Sequence, residues 1–184
     1  MALAILPILA AGVAAARDPG TLEGAEYRVK AAFVYHFVRF TQWPARAFPG
    51  EDSPVVVCVA GEPPGIEALF TLRDKPVRGR RIVVRRFDEA EAEDCHVLFV
   101  AAGAPEAAAG TLASVRGRTV LTVGESEAFA KACGIVHFFL ENDHLRFAVN
   151  LAAASRAGIR FSAQLLMSAE IVEDPAGCSR SEGE

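Results

Sequence analysis

The residues able to do chemistry in this chain are four cysteines, four histidines and the carboxylates near them. His137, Glu141 and His144 have the spacing closest to a metal site. If Glu141 and His144 face each other across a hairpin, His137 lies two residue pairs further along. A zinc-type site needs a fourth ligand, and the sequence places none. The three residues therefore read as a solvated polar sheet face with a Glu–His contact. His96, between Cys95 and Val97 in an apolar run, reads as a hydrogen-bonded structural histidine. Gly61–Gly65 (GEPPG) joins an apolar run to a helical one, the position of a phosphate loop. Its two prolines lack backbone donors and Glu62 adds negative charge, which argues against nucleotide binding. No Ser/His/Asp or Cys/His set is placed by a motif. The expectation is a protein without catalysis, metal or cofactor.

What the cysteines do depends on the compartment. Ala2–Ala16 is apolar, and Ala14–Ala16 before Arg17 fits an A-x-A cleavage signal. The stretch is too short to span a bilayer, so the chain is not expected to be membrane-spanning. It reads as an export signal over residues 1–16, cleaved near Ala16, although it lacks a basic start. In an oxidising compartment four cysteines allow up to two disulfides, with the connectivity open.

The elements follow from hydrophobic patterning. With 184 residues, 52% hydrophobic and 23% charged, the chain supports one globular domain with a real core. A formal charge of −4 argues against nucleic acid as a partner. The basic run Arg78–Arg86 alternates along a strand and fits a solvated edge. Residues 17–26 read as a polar tether, 27–172 as one domain and 173–184 as a polar tail. Within the domain, Val55–Ala60, Arg81–Phe87, Cys95–Ala101 and Thr119–Val123 are strand-like runs separated by helical stretches. That alternation predicts a three-layer α/β fold, a largely parallel sheet flanked by helices in a Rossmann- or flavodoxin-like order. Ile135–Glu141 and His144–Asn150 flank Asn142-Asp143, the signature of a two-residue hairpin turn. Pairing Glu141 with His144 puts Val136, Phe138, Leu140, Leu145, Phe147 and Val149 on one apolar face. On the other face Arg146 stands opposite Phe139, within reach of a cation–π contact. Leu151–Ala157 and Ala163–Val172 are expected to close the chain as two helices.

The organising element is Tyr27–Trp43. At about 100° per residue its apolar side chains form two stripes. One carries Val29, Phe33, Phe37, Phe40 and Trp43; the other carries Tyr27, Ala31, Val34, Tyr35 and Val38. A surface helix has one such stripe. Two imply either deep burial or a second body against one of them. On the second view Tyr27, Val34, Tyr35, Val38 and Trp43 are candidate partner or dimer contacts, with Phe139 and Arg146 as a further patch.

Several segments resemble, in order, the YfiR family of exported bacterial proteins. They are KAAFVYHFVRFTQWP (Lys30–Pro44), VCVAG (Val57–Gly61), VRGRRIVVRR, CHVLFVA, GRTVLTV (Gly117–Val123) and the closing stretch Gly134–Val172. His36, His137 and Ala148 depart from the pattern. The resemblance implies a periplasmic regulator that binds the periplasmic part of an inner-membrane diguanylate cyclase and holds it inactive. Capture by another protein, for example an outer-membrane lipoprotein, would release the cyclase and link envelope or redox state to cyclic di-GMP. It also implies a Cys58–Cys95 disulfide, which leaves Cys133 and Cys178 to pair by elimination. A homodimer is expected from the two-sided helix. The competing reading is a periplasmic small-ligand-binding sensor that acts on another membrane protein.

Overall fold

The computed structural model describes residues 19–101, 105–176 and 178, so the expected export segment lies outside the described residues. Helix α1 spans Pro19–Phe40 and strand β1 Thr41–Gln42. Next come a single 3₁₀ turn (Ala45–Ala47), β2 (Val55–Ala60), a first longer 3₁₀ segment (Ile66–Leu72), β3 (Pro76–Val77), β4 (Arg80–Arg86) and a second longer 3₁₀ segment (Glu89–Asp94). β5 (Val97–Val100), α2 (Pro105–Ser114), β6 (Leu121–Gly124) and α3 (Glu127–Lys131) follow. The chain closes with β7 (Val136–Glu141), β8 (His144–Asn150), α4 (Leu151–Arg156), β9 (Arg160–Phe161), α5 (Ala163–Leu166) and β10 (Glu170–Val172).

The continuous apolar runs become the middle of an eight-stranded sheet with the order β10-β8-β7-β6-β5-β2-β4-β3. The pairs β2–β4, β2–β5, β5–β6 and β6–β7 are all parallel. These five strands therefore run 2-1-3-4-5 in chain order, the flavodoxin arrangement. Strands buried on both faces need no polar alternation, and each residue of β5 and β6 is buried. One face, with Val57, Phe99, Leu121 and Phe138, packs under α1, the first 3₁₀ segment and the closing helices. The other face, with Cys58, Leu98 and Val100, packs under α2, α3 and the second 3₁₀ segment.

The hairpin has the register expected from its turn, with Glu141 opposite His144 and Phe139 opposite Arg146. Asn142 and Asp143 adopt φ of 50° and 60°, the left-handed pair that a type I′ turn requires. Two boundaries differ from expectation. Helix α1 starts at Pro19, so most of the expected tether is helical. The last expected helix stops at Leu166, and Glu170–Val172 instead pairs parallel with Ala148–Asn150 as an edge strand. Ser162 caps the short α5 by accepting from the Leu165 N–H, and the non-local β8 edge then captures the chain.

A packing detail fixes the turn between β6 and β7. Ser126 caps α3 by accepting from the Phe129 N–H, which lays the Phe129 ring against Gly124 and Gly134. A methyl group at Gly134 would sit 2.0 Å from that ring, and one at Gly124 2.3 Å from it. Only glycine fits at either place.

Candidate functional site

Both stripes of α1 are largely covered by the chain itself. Phe33 and Phe37 meet Phe138 and Phe147 with ring centroids 4.9–5.8 Å apart, and Tyr27 meets Phe99 edge-on at 6.4 Å. Tyr27, Val34 and Val38 are at most 5% exposed, so they are core residues and have no surface to offer a partner. The covering comes from the 3₁₀ segment Ile66–Leu72 and from α5, which pack on α1 from beyond the sheet. Sequence periodicity records that a stripe is apolar, not what covers it. The exposed side of α1 carries Arg28, Val29, Ala32, His36 and Arg39. Tyr35 is half-buried beside it, its hydroxyl donating to the Pro76 carbonyl at 2.9 Å.

Trp43 packs edge-on against Phe48, centroids 6.2 Å apart, and its indole N–H is buried without a hydrogen-bond partner. Phe139 is half-buried on the hairpin's polar face. Arg146 there does not turn onto the Phe139 ring; its Nη1 donates to Glu141 at 3.0 Å. A nearby carboxylate outcompetes a neutral ring for the guanidinium. Leu140 lies on the apolar face yet is 65% exposed. Tyr35, Trp43, Phe139 and Arg146 thus keep surface, but they do not form one contiguous cluster of contacts.

The cysteines are joined in two pairs. Cys58 and Cys95 connect β2 to a point two residues before β5, with Cα atoms 5.9 Å apart. Cys133 and Cys178 connect the α3–β7 turn to the C-terminal tail, with Cα atoms 5.7 Å apart. The same tail is held by Asp174, which accepts two hydrogen bonds from Arg156 and one from Asn150. The Arg156 guanidinium holds the Asp174 carboxyl below its ordinary range. Sequence alone shows this stretch only as a polar tail, because its anchors lie on other elements.

His96 sits directly after the first disulfide. Its Nδ1 accepts from the Val56 N–H at 3.2 Å, and its Nε2 lies 2.9 Å from the Ala47 carbonyl, so Nε2 carries the proton. Burial pushes this imidazole below its ordinary value, and Arg80 acts in the same direction. It is the bonded, neutral histidine expected from its apolar surroundings. His144 Nδ1 instead lies 2.7 Å from the Asn142 carbonyl. Among the described residues no group of three or more His, Cys, Asp or Glu side chains could hold a metal ion.

At the carboxyl ends of the strands Lys30 is buried between two carboxylates. It pairs with Glu26 at 2.5 Å and with Glu125, whose side chain is 4% exposed and also accepts from the Tyr27 hydroxyl at 2.5 Å. This cluster ties α1 to the end of β6. Lys30 belongs to neither apolar stripe, and periodicity gives no sign of its partners.

Together these features define a doubly cross-linked α/β domain of flavodoxin-like order, with most of its ionisable groups engaged in structure. The chain belongs to the YfiR/HmsC-like family, whose model matches residues 27–170. A comparison with curated proteins gives no match. Among solved structures, the chain is similar to a conserved domain protein from Vibrio cholerae O1 biovar El Tor str. N16961. The TM-score is 0.53 at 11% identity, over 79% of this chain and 59% of that one. The chain therefore spans about three-fifths of that protein's length, and the likeness is one of fold. Among the described residues no helix is long and apolar enough to cross a membrane.

Proposed function

We propose that this protein is a periplasmic regulator that binds the periplasmic part of an inner-membrane diguanylate cyclase and keeps it inactive. Membership of the YfiR/HmsC-like family over residues 27–170 carries this reading, because that family comprises periplasmic regulators of diguanylate cyclases. Two disulfides suit an oxidising compartment, and both are consistent with export. Regulation needs no bond-making: a protein that binds only the inactive cyclase shifts its population, and a tighter competitor for the same surface releases it. An outer-membrane lipoprotein is the proposed competitor, and a homodimer the proposed form. Tyr35, Trp43, Phe139 and Arg146 are the proposed contacts, since each retains surface on the folded chain.

Co-expression with a cyclase encoded beside it tests the reading. Cyclic di-GMP should fall when the protein is present and rise when it is deleted. Unchanged cyclic di-GMP in both strains, with no complex recovered by cross-linking in the periplasm, would reject it.

A further inference from the structure

A cleft of about 570 Å³ opens at the amino ends of β2, β5 and β6, opposite the end where α/β sheets usually hold ligands. That volume is in the range of small-molecule sites. Its inner wall is apolar, with Pro54, Val56, Val120 and the Cys95 half of the first disulfide. Its rim is charged: Arg46, Arg85 and Arg118 stand against Glu93 and Asp94. His96 also lines it, but both ring nitrogens are already bonded.

The three arginines are not equivalent. Arg85 is committed to Glu91 at 2.7 Å and lies 3.6 Å from Asp94. Arg118 meets Glu93 at only 3.4 Å, and both side chains are substantially exposed. Such a surface pair is weak and exchangeable. Arg46 has no hydrogen bond or ion pair among the described residues. Its guanidinium nevertheless reaches toward the start of β6: one Nη lies 3.2 Å from the Cβ position of Gly158, and the Thr119 hydroxyl lies 4.0 Å from the same point. Arg46, on the 3₁₀ turn Ala45–Ala47, and Arg118, next to Thr119, therefore both line the cleft from separate parts of the chain.

We infer that this cleft binds a small organic monocarboxylate, with its carboxylate on Arg46 and Arg118 and its apolar body against Pro54, Val56 and the disulfide. Arg85 is matched by Glu91 and Asp94 and Arg118 by Glu93, which leaves Arg46 as the one guanidinium of the rim without a carboxylate partner among the described residues, a match for a single carboxylate. A phosphate dianion would gain no matching charge and would face Glu93 and Asp94. The apolar wall requires a hydrocarbon body, so a bare inorganic anion leaves it wet. The inference is independent of the cyclase reading, because binding is measured on the isolated protein.

Isothermal titration with hexanoate, isovalerate and phenylacetate tests it, with phenylacetamide and inorganic phosphate as controls. Trp43, the one tryptophan of the chain, provides a second signal through Phe48, which stacks on His96. At least one carboxylate should bind saturably, with the amide and phosphate weaker by about tenfold or more. The Arg46→Ala/Arg118→Ala variant should lose binding by a similar factor, while Arg28→Ala, on the exposed side of α1, leaves it unchanged. Both rim arginines are exposed, so the double variant should keep the wild-type melting temperature. No saturable binding below roughly 10 mM, equal binding of the amide or phosphate, or unaltered binding by the double variant would each overturn the inference.

Discussion

The imidazole of His96 lies flat on the ring of Phe48, with centroids 4.5 Å apart and 17° between the planes. Arg80 covers Phe48 as well, its guanidinium carbon 3.9 Å from the ring centroid. Protonating His96 would turn Nδ1 from an acceptor into a donor facing the Val56 N–H, and would place its charge in the neighbourhood of Arg80. Burial already holds the imidazole below its ordinary value, as it does at His137. The unfolded chain thus binds protons first as pH falls below about 6.5. Stability is full above that value and declines as pH drops toward the lowered folded-state value. Urea midpoints measured from about pH 7.5 to pH 5 should fall, and the slope should be shallower in His96→Gln. An equal slope in that variant would assign the effect to other groups.

The two disulfides close loops of sequence separation 37 and 45. In the chain-entropy model each contributes about 4 kcal/mol. Cys58→Ala/Cys95→Ala and Cys133→Ala/Cys178→Ala should each lower the urea-derived stability by about that amount. The second variant should also speed amide exchange at Ile171 and Val172, because it loosens the tail that follows β10.

Lys30 neutralises a carboxylate that has almost no water. Lys30→Met should cost roughly 3–5 kcal/mol, since it leaves Glu125 charged and buried. The double variant Lys30→Met/Glu125→Gln should recover most of that loss. A double variant as unstable as the single one would mean that packing, not charge, sets the cost.

Gly134→Ala drives a methyl into the Phe129 ring. It should destabilise by about 1–3 kcal/mol, as overpacking does. Pairing it with Phe129→Leu should restore part of the loss, which calorimetric melting would register.

The parts of the fold that the sequence disclosed are those whose signal is local. Asn142-Asp143 fixed the hairpin register, and the apolar runs at Val55–Ala60 and Cys95–Ala101 marked strands covered on both faces. β10 was hidden because Glu170–Val172 is three residues long and exists only through the edge of β8. The role of Tyr27, Val34 and Val38 was hidden for a related reason. Their periodicity is the same whether another subunit or the chain's own 3₁₀ segment Ile66–Leu72 lies on top. The rim arginines carried no signal at all, because Arg46 and Arg118 are far apart in sequence and line one cleft only once the chain is folded.

Cys58 joins Cys95, and Cys133 joins Cys178: the first thiol along the chain bonds to the second and the third to the fourth, and neither ring encloses the other. Four thiols have three possible connectivities. For a polypeptide emerging amino-terminus first, this one can be made in order, the earlier bond closing before the third thiol has appeared. Such a chain needs an oxidant to mature, but no reshuffling of mispaired sulfurs.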